Sequence, residues 1–391
     1  MMFDNKFGMF IHWGPYAQLG FHEQVLARRD MSHDEYEKMA LEFNPTDYDP
    51  EKWVLLAKKA GMKYVCFTAK HHDGFCMWDT KCTDYNIMNT PYKKDVLKML
   101  SDACKKHGML LSLYYSNPDW HHEYAYNPNS THQWKAKNQD NTDTLVYREF
   151  IKEQITELLT NYGEIYTLFW DIPPHIEDAS INELVRKLQP NIYINDRGWS
   201  AGDFSTPERE EESQNNSVRM TEACNSVGVY SWGYRKNEDF YTKRHLCCAI
   251  DRYMSQGASY LLNVGPNAQG VITPEYENAL LKVADWYLRM QGCLECAAVD
   301  TYDYGIKNNK YVATIKNGKT YLHFYDGLIS HSFAVKNFPK MPKNIKFMNS
   351  GENLPFEKTF LPEFFGKEIL YVYDIDVEKY IDEPIVIEIE W

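Results

Sequence analysis

Short runs of apolar residues alternate with longer polar stretches of helical spacing through the first three quarters of the chain. The apolar runs are rich in aromatic and β-branched residues, and they are continuous rather than alternating, which is typical of a parallel sheet covered by helices on both faces. About eight such units predict a closed (β/α)8-like TIM barrel. No GxGxxG follows the first strand, which disfavours an open dinucleotide-binding sheet. Strands are predicted at 7–14, 63–70, 109–116, 165–171, 191–196 and 259–265 with one or two more within 219–230, and helices at 32–43, 50–61, 95–108, 144–162, 181–188, 243–256 and 274–290.

The pattern changes after about residue 297. Shorter runs there alternate between apolar and polar positions, with Pro and Gly between them. Asn317-Gly318 separates two such runs and predicts a hairpin turn. The sequence therefore predicts two domains, a catalytic barrel over 1–296 and a small antiparallel β-sandwich over 297–391.

Composition excludes several classes of protein. Apolar residues make up 44% of the 391-residue chain, which is enough for a large core, and the formal net charge is −13. That charge disfavours nucleic acid or an anionic membrane as a partner. No run of 18 apolar residues occurs, and the N-terminus lacks the pattern of a signal peptide. The expected location is cytoplasmic, or secreted or periplasmic if an N-terminal signal has been trimmed.

Candidate chemistry collects where the predicted barrel strands end, which is where barrels carry their active sites. His12, the pair His71-His72, Tyr114, Asp171 and Arg197 each follow one of five successive strands. Imidazole and guanidinium donors beside aromatic faces suit a sugar ring. The competing use of these side chains is a zinc or iron site, but the HxH spacing usual in barrel metal sites is absent. No metal and no cofactor is expected.

Glycoside cleavage needs two carboxyl groups, one ionised and one protonated. Asp171 is the natural nucleophile, and the acidic loop after the fifth strand supplies the second group. Glu208 is favoured there because Thr206-Pro207 fixes the backbone before it, whereas Glu210–Glu212 have the pattern of a solvated surface. Repulsion from those three carboxylates is expected to raise the pKa of Glu208.

Several longer motifs carry a resemblance to a known family. FGMFIHWGPY, FTAKHHDGFCMWDTKCTDYN, LYYSNPDW, NDR, GDFSTPE, SWGY and LLNVGPNAQGVI follow one another between residues 6 and 286. In this order they resemble glycoside hydrolase family 29, the retaining α-L-fucosidases. The resemblance implies a (β/α)8-like barrel followed by a β-sandwich.

The same resemblance assigns roles to nine residues. It makes Asp171 the nucleophile and Glu208 the acid/base. It also implies that fucose is bound by His12, Glu23, His71, His72, Tyr114, Arg197 and Trp232. Trp232 would face the C5 methyl group of this 6-deoxy sugar, which favours an apolar surface.

The chain departs from the family pattern beside the nucleophile. The family reads Trp-x-Asp-Gly, whereas this chain has Phe169-Trp170-Asp171-Ile172. A second departure is Arg197-Gly198-Trp199, where the family has Arg-Trp-Gly.

The leading hypothesis is a retaining exo-α-L-fucosidase that removes terminal fucose from a fucosylated oligosaccharide or glycoconjugate by double displacement. Two alternatives are a fucose-binding protein with weak or no hydrolysis and a metal-dependent barrel hydrolase. The sequence leaves the linkage and the oligomeric state open.

Overall fold

A computed structural model describes residues 6–209, 220–295 and 297–391. Eight parallel strands form one sheet in the order β5-β4-β3-β2-β1-β8-β7-β6. The two edge strands meet through a bridge between Asn195 and Phe204, so the sheet closes into the predicted barrel. The strands are β1 (Phe7–Ile11), β2 (Tyr64–Lys70), β3 (Leu110–Ser116), β4 (Ile165–Asp171), β5 (Tyr193–Ile194), β6 (Phe204–Ser205), β7 (Met220–Ser226) and β8 (Ser259–Val264).

Helices cover the outside of the barrel, and local sequence sets their ends. Ser32 and Glu35 form a reciprocal capping box at the start of one helix, and Gly108 ends another in the left-handed conformation. The helices are α1 (Val25–Arg28), α2 (His33–Leu41), α3 (Pro50–Lys59), α4 (Val96–His107), α5 (Leu145–Asn161), α6 (Ala179–Leu188), α7 (Lys243–Met254) and α8 (Pro274–Leu294). Three short 3-10 helices lie at Pro15–Leu19, Ile87–Asn89 and Glu378–Tyr380.

The fold prediction is confirmed, with differences at the weakest elements. The fifth strand is confined to Tyr193–Ile194, the two-residue β6 was not predicted, and α8 runs four residues beyond its expected end. Strands of two residues carry too little apolar pattern to be seen in a sequence.

The C-terminal part is an antiparallel sandwich of a six-stranded sheet, β14-β13-β17-β11-β10-β9, and a three-stranded sheet, β12-β16-β15. Asn317 and Gly318 both have positive φ and form the predicted hairpin turn. The strands are β9 (Ala298–Asp300), β10 (Val312–Lys316), β11 (Lys319–Phe324), β12 (Phe333–Val335), β13 (Asn344–Phe347), β14 (Glu352–Asn353), β15 (Phe356–Phe360), β16 (Glu368–Val372) and β17 (Ile385–Glu390). The sequence did not predict β9, β14 or β15.

Buried polar contacts join the barrel to the sandwich. His323 of β11 lies 2.8 Å from Asp251 of α7, and both side chains are fully buried. Glu383 accepts a hydrogen bond from Lys243 of α7 at 2.6 Å and also contacts Arg289 of α8. The sandwich is therefore fixed to the helices on one side of the barrel.

One carboxyl group inside the barrel gives the fold a pH dependence. Glu222 on β7 is fully buried, and burial raises its pKa to about 8 while the Tyr64 hydroxyl opposes the shift. The folded protein thus keeps a proton at pH 7 that the unfolded chain releases, so this group costs stability as pH rises from about 4.5 to 8.

Glu222→Gln should remove the contribution of this group to the slope of the unfolding free energy against pH, which reaches about 1.4 kcal/mol per pH unit. Urea unfolding at pH 5, 6, 7 and 8 checks it. The exposed Glu352 on β14 gives the control variant Glu352→Gln, which should follow the wild-type profile. An unchanged slope in Glu222→Gln would show that this carboxyl is not the source.

Candidate active site

A cavity of about 90 Å³ opens at the carboxyl ends of the barrel strands. Eight of the nine residues assigned from the sequence line it. The ninth, Arg197, contacts two of the lining carboxylates, so the structure brings the whole predicted set together. The lining residues are Phe10, His12, Glu23, Gln24, His71, His72, Tyr114, His132, Phe169, Asp171, Ile172, Glu208 and Trp232.

Asp171 lies at the end of β4, and donors hold both of its oxygen atoms. Oδ1 accepts hydrogen bonds from the Ile172 amide at 2.9 Å and from Arg197 Nη1 at 3.1 Å. Oδ2 accepts one from the Tyr114 hydroxyl at 2.6 Å. The carboxylate is therefore fixed in orientation and largely shielded from bulk water.

The charge state of Asp171 follows from these neighbours. Burial alone would raise its pKa, but the Arg197 guanidinium and the hydrogen bond from the Tyr114 hydroxyl oppose burial, and the pKa of Asp171 lies below its ordinary value. The guanidinium of Arg197 thus favours the ionised form of this carboxyl group. An ionised carboxylate in a dry cavity can act as a nucleophile.

The backbone conformation at Ile172 explains why the family pattern has a glycine at this position. Its φ is 59°, in the left-handed region that glycine adopts freely and that costs a β-branched residue about 1–2 kcal/mol. The chain keeps the backbone turn after Asp171 without the glycine. Its isoleucine side chain lines the cavity instead.

Glu208 is placed by an extension of the pairing between β6 and β7. The Cys224 amide donates to the Pro207 carbonyl and the Arg209 amide donates to the Cys224 carbonyl, each at 3.0 Å. Arg197 Nη1, the same atom that contacts Asp171, also donates to Glu208 Oε1. Because one nitrogen donates both hydrogen bonds, the two accepting oxygen atoms lie no more than about 6 Å apart.

Burial raises the pKa of Glu208, and the charge on Asp171 adds to this, against the opposing effect of Arg197. The sequence attributed this rise to Glu210–Glu212, which lie outside the described residues. Burial and Asp171 account for its direction without them. The two carboxyl groups thus have pKa values displaced in opposite directions.

His12 is a neutral hydrogen-bond acceptor in the cavity. Its Nδ1 lies 2.7 Å from Asn263 Oδ1, while Asn263 Nδ2 donates to the Ser226 hydroxyl and to the Trp232 carbonyl. Since Asn263 Oδ1 can only accept, Nδ1 of His12 carries the proton and Nε2 is left with its lone pair. Burial lowers the pKa of His12 to about 4, which keeps the ring uncharged.

His72 has the same arrangement through a different partner. Its Nδ1 lies 2.7 Å from the Ser116 hydroxyl, which itself donates to the Pro118 carbonyl at 2.5 Å. His72 therefore donates from Nδ1, and its Nε2 lies 3.8 Å from Asp171 Oδ2. Burial lowers the pKa of His72 to about 4 as well.

His71 completes a set of three neutral imidazoles. Its ring stacks on Tyr114 with 5.5 Å between centroids, and burial holds its pKa well below the ordinary range. Its buried Nδ1 has no hydrogen-bond partner within the described residues. The three rings together suit the donors of a polyhydroxylated ligand.

Glu23 has a structural task besides lining the cavity. Its Oε2 accepts hydrogen bonds from the Ser231 hydroxyl and from the amides of Trp232 and Gly233, at 2.8, 3.0 and 3.1 Å. The carboxylate therefore positions the turn that carries Trp232, whose ring stacks on His12 with 5.2 Å between centroids. Its second oxygen lies 3.2 Å from His22.

Several site residues were missed by the sequence reasoning. Asn263 and Ser116 fix the tautomers of two histidines, and Gln24 and His132 lie on the cavity wall. Asn263 could have been found, because it lies two residues after the inward-facing Leu261 on β8. His132 lies in a polar loop, where no periodicity indicates its direction.

Among residues 6–209, 220–295 and 297–391, no cluster of three or more His, Cys, Asp or Glu side chains is arranged to hold a metal ion. No helix in those ranges is both long and apolar enough to span a bilayer.

The sequence of the chain is similar to those of known alpha-L-fucosidases. The family model described as Alpha-L-fucosidase matches residues 2–292. The tissue alpha-L-fucosidase of Rattus norvegicus is 27% identical over 315 residues, which cover 72% of this chain and 66% of that protein. Alpha-L-fucosidase 1 of Arabidopsis thaliana is 29% identical over 269 residues, 60% of this chain and 50% of that protein. The chain thus spans from half to about two thirds of these two relatives.

Solved structures match almost the full chain. Alpha-L-fucosidase isoenzyme 1 from Paenibacillus thiaminolyticus superposes with a TM-score of 0.86 and 29% identity, covering 99% of this chain and 97% of that chain. A GH29 alpha-L-fucosidase from Bacteroides thetaiotaomicron, trapped as a covalent intermediate with 2-fluoro-fucosyl fluoride, gives 0.78 and 26%, covering 99% and 94%. With the match of the family model to most of the barrel, these findings show that the chain belongs to the alpha-L-fucosidase family of glycoside hydrolases, family 29.

Proposed function

We propose that this protein is an exo-α-L-fucosidase that removes terminal α-L-fucose from glycans with retention of anomeric configuration. The observation that carries the proposal is the contact of one Arg197 nitrogen with both Asp171 and Glu208. It holds Asp171, whose pKa is lowered, and Glu208, whose pKa is raised, with carboxylate oxygens no more than about 6 Å apart, which is compatible with the separation of about 5–5.5 Å in retaining glycosidases.

The proposed reaction requires Asp171 to be ionised and Glu208 to be protonated. Asp171 attacks the anomeric carbon while Glu208 gives its proton to the departing oxygen, so the glycosidic bond breaks as a fucosyl ester forms. Glu208, now ionised, takes a proton from water, and the water oxygen displaces Asp171 at the same carbon. Two inversions give net retention, and both carboxyl groups return to their starting states.

The neutral histidines orient the sugar. Nε2 of His12 and of His72 can each accept a hydrogen bond from a sugar hydroxyl, and such bonds strengthen as positive charge develops on the ring. Phe10, Phe169 and Trp232 supply an apolar wall for the methyl group of a 6-deoxy sugar. A hydroxyl at that position would lose its hydration against this wall.

The stereochemical course of the reaction tests the proposal directly. With 4-nitrophenyl α-L-fucoside, proton NMR in the first minutes should show α-L-fucose as the first-formed product, before mutarotation. The β-anomer would contradict double displacement. Fucose binding without hydrolysis would instead support the fucose-binding alternative.

A further inference from the structure

One long loop, residues 117–143 between β3 and α5, forms a side of the cavity mouth. It is bonded to the three residues that follow the proposed nucleophile. The contacts are Asn117 Nδ2 to the Ile172 carbonyl at 2.9 Å, Ser130 Oγ to the Pro173 carbonyl at 2.9 Å, and Asn127 Nδ2 to the Pro174 carbonyl at 2.6 Å. The loop is thereby held beside the Asp171 side of the mouth.

The loop carries an aromatic ledge, which we define as His132 and Trp134. His132 lines the cavity, and its ring centroid is 5.4 Å from that of His72. Trp134 continues outward with its centroid 4.7 Å from that of His132. Trp120 is 1% exposed and holds the ledge from below, because its indole N–H donates to the His132 carbonyl at 2.7 Å.

Trp134 is 53% exposed although it is fixed against two aromatic neighbours, His132 and Trp120. An indole left in water forgoes the stability that burial would give, and the two neighbouring rings hold Trp134 in place, so its exposed face is available to a ligand beside the cavity. Its face suits the C–H face of a pyranose ring.

The position of the ledge points to one part of the substrate. A fucose whose anomeric carbon faces Asp171 must direct its substituent out through the mouth. Ile172 and His132 both line the cavity, and the loop bonded to the Ile172 carbonyl carries Trp134 just outside it. We propose that the aromatic ledge stacks against the sugar ring to which fucose is attached, and so makes this enzyme select oligosaccharides over fucosides that lack that ring. This inference rests on the proposed fucosidase activity.

Two kinds of substrate distinguish an effect on binding of the second sugar from an effect on bond cleavage. α-L-Fucosyl fluoride has no ring beyond fucose, whereas α-1,2-, α-1,3-, α-1,4- and α-1,6-linked fucosyl disaccharides do. Trp134→Ala should lower kcat/KM about tenfold for whichever disaccharide the wild type cleaves fastest, which corresponds to the loss of one stacking contact. Its kcat/KM for fucosyl fluoride should stay within about twofold. Trp134→Phe, which keeps an aromatic face, should recover most of the disaccharide activity.

A matched control removes an exposed aromatic side chain far from the mouth. Phe365 in the sandwich is 98% exposed, and Phe365→Ala should leave both substrates unaffected. An equal loss of kcat/KM on both substrates in Trp134→Ala, or no loss on either, would contradict the proposed role of the aromatic ledge. So would a wild-type enzyme that cleaves fucosyl fluoride but none of the disaccharides. A wild type that cleaves nothing would instead refute the proposed function itself.

Discussion

Replacing Asp171 by alanine should lower kcat for 4-nitrophenyl α-L-fucoside by roughly 10³-fold or more, with the protein still folded. The reason is that the ester intermediate cannot form without this carboxylate, while the histidines and the apolar wall that bind fucose remain. Initial rates measured across substrate concentrations should therefore show the loss in kcat rather than in KM.

Azide distinguishes a missing nucleophile from a damaged site. In Asp171→Ala the small anion can enter the space of the lost carboxylate and attack the anomeric carbon once, which should restore turnover and yield β-L-fucosyl azide. Asp376→Ala, which removes an exposed carboxylate of the sandwich, is the matched control and should retain wild-type activity. Near-normal turnover of Asp171→Ala without azide would remove Asp171 from the mechanism.

Replacing Glu208 by alanine should produce a loss that depends on the leaving group. A disaccharide leaves as a poor alkoxide and needs a proton, so its kcat/KM should fall by roughly 10²–10⁴-fold. Fluoride leaves with little help, so kcat/KM for α-L-fucosyl fluoride should change far less, because it reports only the step that forms the ester. Hydrolysis of that ester should become slow, and azide should speed it and give α-L-fucosyl azide.

The pH profile gives an independent check on Glu208. Activity needs Asp171 ionised and Glu208 protonated, so kcat/KM should be high between the lowered pKa of Asp171 and the raised pKa of Glu208. In Glu208→Gln the residual kcat/KM for the disaccharide should lose the alkaline decline. Uniform losses on all leaving groups with an unchanged profile would assign the acid to another residue.

Much of the barrel and of its site could be predicted because both depend on local pattern. Continuous apolar runs such as β4 mark barrel strands, and polar residues directly after them must lie at one rim. The family resemblance supplied Glu23 and Trp232, which lie on loops and carry no periodic signal. In the structure, one oxygen of Glu23 accepts a hydrogen bond from the Trp232 amide, and both residues line the cavity.

The tautomers and pKa values of the site residues could not be predicted from the sequence, because they depend on contacts between distant parts of the chain. The protonated nitrogen of His72 depends on Ser116, forty-four residues away in the chain, and on the carbonyl to which that hydroxyl donates. The raised pKa of Glu208 was attributed to Glu210–Glu212, which lie outside the described residues, whereas the structure shows contributions from burial and from Asp171. Burial and the charge of a residue on another strand carry no signal in the local sequence.

The distance between Asp171 and Glu208 depends on the seam at which the barrel closes. β5 and β6 have two residues each, and they are joined by the Asn195–Phe204 bridge and a few neighbouring backbone hydrogen bonds. Arg197 leaves the barrel on one side of this seam and Glu208 on the other. Because few backbone hydrogen bonds cross this seam, the free energy of local opening is expected to be lowest there, and such an opening would separate Glu208 from Arg197.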